Sequence, residues 1–144
     1  MKENLKVRSI IEIVGSPENY VNELLDKVIS KIGERNELRL NGKEIFKAEQ
    51  IKDKPLWSGF CDVEMDVENL GALMSFCLDF LPSSVEIIEP DTFYLPNSKL
   101  NNVFNDLLAK LHENNLNLRN TQAQNILLRR ELGKLKGGEE EKKQ

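Results

Sequence analysis

From Leu100 to Leu135 apolar residues recur at coiled-coil spacing, and a helix that carries this spacing has to follow a partner helix. Heptad position a holds Phe104, Leu111, Leu118, Asn125 and Leu132. Position d holds Leu100, Leu107, Asn114, Thr121, Leu128 and Leu135. Eight of these eleven side chains are large and apolar. A strict seven-residue repeat drifts by about 20° per heptad around a straight α-helix, so one face stays buried only if two helices wrap around each other. No glycine or proline interrupts the stretch between Asn97 and Leu132. The spacing therefore predicts a helical arm over residues 97–136 and self-association, as a homodimer, through residues 100–135. Asn114, Thr121 and Asn125 form a polar notch in the seam; a buried asparagine lowers stability but fixes register and strand number. Val103 (g) and Leu108 (e) widen the apolar stripe near the start of the arm. Glu131 (g) and Lys136 (e of the next heptad) are spaced to pair across a parallel dimer. The pattern leaves parallel and antiparallel pairing, strand number, and folding of the arm back on its own head all open.

Residues 1–96 are enough for one core. Val7–Val14 is β-branched and reads as a strand. Ser16 and Pro17 suit the cap and first position of a helix with Val21, Leu24, Leu25, Val28 and Ile32 on one face, ending at Gly33. Asn41-Gly42 predicts a tight hairpin turn. Leu56–Val67 alternates, with Cys61, Val63, Met65 and Val67 one way and Asp62, Glu64 and Asp66 the other. An apolar helix over 68–81 stops at Pro82, and Val85–Ile88 makes a last strand. The order predicts an α+β, ferredoxin-like βαββαβ head: a four-stranded antiparallel sheet with two helices on one face. Val7, Ile11, Ile13, Cys61, Val63, Met65, Val85 and Ile87 would lie beneath the helices, and Glu12, Asp62, Glu64 and Glu86 on the open face. Gly137 onward (GGEEEKKQ) reads as a disordered charged tail, residues 137–144.

Charge is divided unevenly. Residues 1–96 carry 11 basic and 18 acidic side chains, and residues 97–144 carry 9 and 6. Between Pro55 and Ser98 there are eight carboxylates and no lysine or arginine. An acidic surface repels phosphate backbones and suits a basic partner. Ser58-Gly-Phe-Cys-Asp-Val-Glu-Met echoes the ribonucleoprotein signature at Gly59, Phe60 and Val63, but Ser58 replaces its basic residue and Asp62 a base-stacking aromatic. No nucleic acid is expected on the sheet. Alternate carboxylates on a strand stand about 7 Å apart, too far for two neighbours to share a small cation, so no metal site is assigned. No Cys/His pair, serine elbow or zinc-ligand set is present, and the lone histidine, His112, falls at the solvent-facing heptad position b. No cofactor and no catalysis are expected. Cys61 and Cys77 sit in apolar segments and read as buried free thiols. No run approaches the ~20 apolar residues of a membrane span, and Met1–Lys6 lacks a signal peptide's apolar core, so no membrane partner and a cytoplasmic home are expected.

Phe76-Cys-Leu-Asp-Phe-Leu-Pro-Ser-Ser-Val-Glu-Ile-Ile-Glu-Pro, followed by Asn105-Asp-Leu-Leu-Ala-Lys-Leu-His, resembles small uncharacterised archaeal proteins over residues 76–112. The resemblance implies no catalytic motif and no ligand. The sequence thus describes a non-enzymatic interaction or scaffold protein whose coiled coil presents acidic heads to a partner. The alternative is a small-molecule-sensing regulatory domain resembling the ACT class.

Overall fold

Two long alternating segments, β1 and β3, form the centre of the head because each buries every second side chain. β1 (Leu5–Gly15) buries Leu5, Val7, Ser9 and Ile11, and β3 (Trp57–Val67) buries Gly59, Cys61, Val63, Met65 and Val67. The computed structural model describes residues 4–142. It shows the elements β1, α1 (Glu18–Gly33), β2 (Leu38–Gln50), β3, α2 (Leu70–Phe80), β4 (Ser84–Glu89) and α3 (Asn97–Lys142). The four strands make one antiparallel sheet in the order β2-β3-β1-β4. Both α1 and α2 pack on one face of it. Leu25, Ile29 and Ile32 of α1 and Ala72, Leu73 and Phe76 of α2 share a single core with the inward residues of β1 and β3. Two compact units result, Met1–Val103 and Phe104–Gln144.

The structure changes several local readings. Asn41-Gly42 is no turn but lies inside β2, whose pairing with β3 shifts register between Leu40 and Gly42. A reversal at Asn41 would have left most of the outer edge of β3 unpaired; the continuous strand satisfies it. The chain reverses at 51–56 instead, where the Ile51 N–H donates to the Leu56 carbonyl (2.8 Å) and the Lys54 N–H to the Ile51 carbonyl (3.1 Å). Asp53 adopts the left-handed φ of 62° there, which an aspartate tolerates well. Pro17, not Ser16, caps α1: its carbonyl accepts from the N–H groups of Tyr20 and Val21. Asn69 caps α2, its side-chain oxygen accepting from the Ala72 N–H at 2.8 Å. Val85, expected under the helices, is 38% exposed because β4 is a short edge strand; Ile13 and Ile87 pack only partly against the core.

A second register shift in β2, between Phe46 and Glu49, turns Ala48 into the core. The Asn22 side chain accepts from the Ala48 N–H (2.9 Å) and ties this bulge to α1. Bulges of this kind blunt an edge strand against pairing with other chains. At the other edge, buried Ser9 donates to the Ser84 carbonyl (2.8 Å), joining β1 to β4. The helix α3 runs to Lys142, past Gly137 and Gly138, where the sequence placed an unstructured tail. An exposed helical glycine costs about 1 kcal/mol relative to alanine yet keeps its backbone hydrogen bonds, so it weakens the helix without ending it. Residues 143 and 144 of that tail lie outside the described residues. No described helix is long and apolar enough to cross a membrane.

Candidate functional site: the open sheet face and the α3 seam

Period-two alternation sends Arg8, Ile10, Glu12 and Val14 of β1 to the face opposite the helices, together with Phe60, Asp62, Glu64 and Asp66 of β3. Glu86 joins them from β4, and Arg39, Glu44 and Phe46 from β2. The four carboxylates expected there, Glu12, Asp62, Glu64 and Glu86, do share this face. They are not a bare negative patch. Arg8 stands opposite Glu64 on one side and Glu86 on the other, and its guanidinium reaches diagonally to Asp62, with Nε donating to both carboxylate oxygens at 3.0 and 3.2 Å. Lys6 similarly lies between Asp66 and Glu89. Glu12 accepts a hydrogen bond from the Ser58 hydroxyl at 2.7 Å. The alternation of β1 that places Glu12 on this face places Arg8 there too, so the sequence carries that signal.

Beyond Arg8 the face becomes more apolar, with Glu12 opposite Phe60. Phe46 and Phe60 stack with ring centroids 4.4 Å apart and planes 18° apart, each ring residue 38% exposed, and Val14 is half exposed. The surface is therefore in two parts, a charged lattice around Arg8 and a ring pair beside it. On the helix side, Arg35 pairs with Asp79 and lies 5.1 Å from the Phe80 ring centroid. A shallow polar cleft of about 210 Å³ is lined by Asn4, Asn36, Glu37, Arg39, Asp66 and Glu68. Among the described residues no three His, Cys, Asp or Glu side chains are grouped to hold a metal ion. Cys61 and Cys77 are free thiols, and burial pushes both up from the ordinary thiol range.

The hydrogen bonds from Arg8, followed by its charge, hold the Asp62 carboxyl below the usual carboxylate range. A depressed folded-state pKa contributes stability above the unfolded value, near 3.9 for aspartate, and loses it as pH falls through the folded value. We expect the Asp62 side-chain carbon, followed by NMR, to titrate below about 3.9 in the native protein and to return toward that value in Arg8→Gln. A midpoint unmoved by the substitution would show that Arg8 does not hold the carboxylate in solution.

The seam residues stand on α3, and the structure places them at the surface. Ten large apolar side chains of α3 are between 46% and 68% exposed. They include the seam residues Phe104, Leu111, Leu118, Leu128, Leu132 and Leu135, with Leu108, Leu116, Ile126 and Leu127 off the seam. Leu100 and Leu107 are partly covered, and Asn114, Thr121 and Asn125 are exposed. Thr121 donates its hydroxyl to the Asn117 carbonyl one turn back (2.9 Å), so its polar group is already satisfied within its own helix.

Sheet and helices define an α+β protein with a long C-terminal helix and, among the described residues, no metal cluster. The chain belongs to the MJ0538 family, named after an archaeal protein, whose model it matches over residues 6–142. No curated protein and no solved structure matches it.

Proposed function

We propose that this protein is a non-enzymatic, cytoplasmic interaction protein, a homodimer paired through α3 that presents the open sheet face of a ferredoxin-like head to a basic protein partner. The element order βαββαβ and the strand order β2-β3-β1-β4 support the ferredoxin-like reading. The face remains negative on balance, with Lys6, Arg8 and Arg39 against Glu12, Glu44, Asp62, Glu64, Asp66 and Glu86. The stacked phenylalanines beside it suit the aliphatic stem or cationic head of lysine or arginine.

The observation that carries the reading is the exposure of the α3 leucines at seven-residue spacing. Large apolar side chains repeated along an exposed helix mark an association site, since burying apolar surface yields roughly 25 cal/mol per Å². Sedimentation of the full chain beside Leu111→Glu/Leu128→Glu tests it. Even about −7 kcal/mol of association free energy, a Kd on the order of 10 µM, keeps most chains paired at about 100 µM. We expect a dimer for the natural chain and a monomer for the double variant, with the fluorescence of Trp57 in the head unchanged. A natural chain that is monomeric at that concentration would refute self-pairing.

A further inference from the structure

The polar residues and charges of α3 say how two copies fit together. Resting on the self-association proposed above, we propose that the α3 helices pair antiparallel, in the register that sets Asn125 of one chain against the partner's Asn114. In an antiparallel pair the a positions of one helix meet the d positions of the other. The register then follows from the sequence. Phe104 meets the partner's Leu135, Leu111 meets the partner's Leu128, and Leu118 meets the partner's Thr121. Both asparagine amides find an amide opposite. The Thr121 hydroxyl is bonded to the Asn117 carbonyl of its own helix, which leaves its methyl for the leucine. Moving the register by one heptad in either direction puts at least one asparagine against a leucine and leaves a buried amide without a partner. The matched register also lays Asn97 level with the partner's Lys142, the first and last residues of α3, so the helices overlap along their whole length.

A parallel pair would also match Asn125 with Asn125, and charge separates the two arrangements. From Arg119 to Lys136 the helix carries five basic residues against one acidic, whereas residues 97–118 carry two of each and continue from the acidic head. Parallel pairing sets the two basic halves side by side and brings two acidic heads to the same end. Antiparallel pairing lays each basic half along the balanced half that leads to the partner's acidic head. Screening confines the effect to neighbours within about 8 Å at physiological salt, which is the spacing of paired helices. At the flanking g positions Lys110 then meets the partner's Glu131. The helix dipoles oppose as well.

Disulfide trapping on the full chain tests the register. Asn114→Cys and Asn125→Cys are oxidised mildly, each alone and as an equal mixture refolded together, and run without reductant. The native thiols Cys61 and Cys77 are common to every arm. A linked dimer in the mixture and in neither single variant is the expected result. If each variant links to itself, the helices are parallel; the inference is overturned while self-association stands. A dimer by sedimentation that links in no arm overturns this register alone, and a monomer by sedimentation overturns both readings. A charge exchange gives an independent measure. Lys110→Glu should lower the melting temperature of the dimer, and Lys110→Glu/Glu131→Lys should recover it. In a parallel pair Glu131→Lys instead brings a second positive charge against the partner's Lys136 and lowers it further, which would overturn the inference.

Discussion

Phe76→Ala is expected to destabilise the head by about 3–5 kcal/mol, the range for removing a fully buried phenylalanine. Phe76 is the largest side chain in the core with no exposed surface, and it connects α2 to the strands beneath. Its ring lies 5.2 Å from that of Phe80 at 33°, so truncation removes an aromatic contact as well as buried area. The surrounding core is built from β-branched strand residues with few rotamers, Val7, Val63 and Val67 among them, and such a wall collapses poorly into a cavity. Domains of this size have total stabilities of roughly 5–15 kcal/mol, so the loss would be a large part of the whole. Urea unfolding followed through Trp57, the sole tryptophan, reads it directly. The midpoint should fall with the slope preserved. A shift worth less than about 1 kcal/mol would mean that α2 is not docked as described.

How much of this was legible in the sequence depended on periodicity. β1 and β3 alternate over eleven residues each, and that pattern alone assigns Val7, Ile11, Cys61, Val63 and Met65 to the core and Glu12, Asp62 and Glu64 to the open face. α1 and α2 are equally plain from their apolar faces and terminators, whereas Gly137-Gly138 does not end α3. What failed was local. Asn41-Gly42 has strong turn chemistry, but tertiary pairing overrode it: the outer edge of β3 needed a long partner, and a bulge absorbed the pair within β2. Charge was harder still. A count of carboxylates between Pro55 and Ser98 describes a segment, whereas the face is assembled from four strands, and the segment's missing cations come from Lys6 and Arg8 on β1. Only pairing register shows that Arg8 stands between Glu64 and Glu86. The stacking of Phe46 on Phe60 was out of reach for the same reason, since it depends on which residues of β2 and β3 lie opposite.

On the proposed function, this mixture of charge and apolar surface would bear on specificity. Arg8 joined to Asp62 lowers the net negative charge of the face, so a basic partner of the kind proposed would meet a patterned surface rather than a uniform field. Exposed pairs of this kind contribute little to folding. They do more for orientation and association rate than for affinity. The stacked rings, with Val14, would supply its apolar contact. Doubling the heads through α3 would add avidity without new contacts on either face.

Gly59→Ala should destabilise the head by about 1–3 kcal/mol, the usual scale for overpacking, although alanine is generally the better residue in ordered structure. A Cβ at Gly59 would stand 2.8 Å from Leu25 Cδ1, and 3.2 and 3.3 Å from the backbone N and Cα of Ala48. Neither neighbour gives way easily. Leu25 has no exposed surface, and Ala48 is held at the β2 bulge by the bond from its N–H to the Asn22 side chain. The glycine therefore marks where α1, the bulge and β3 close on one another. Its φ is not positive, so the requirement is for space and not for backbone freedom. Gly133 provides the contrast. A Cβ there meets nothing within 4 Å, and Gly133→Ala should strengthen α3 by about 1 kcal/mol through helix propensity alone. Urea midpoints followed by Trp57 for the first variant, and thermal melts followed by helical circular dichroism for the second, should move in opposite directions. If Gly59→Ala leaves the midpoint in place, Leu25 and the bulge have room that the structure does not show, and the close approach of α1 to β3 is wrong.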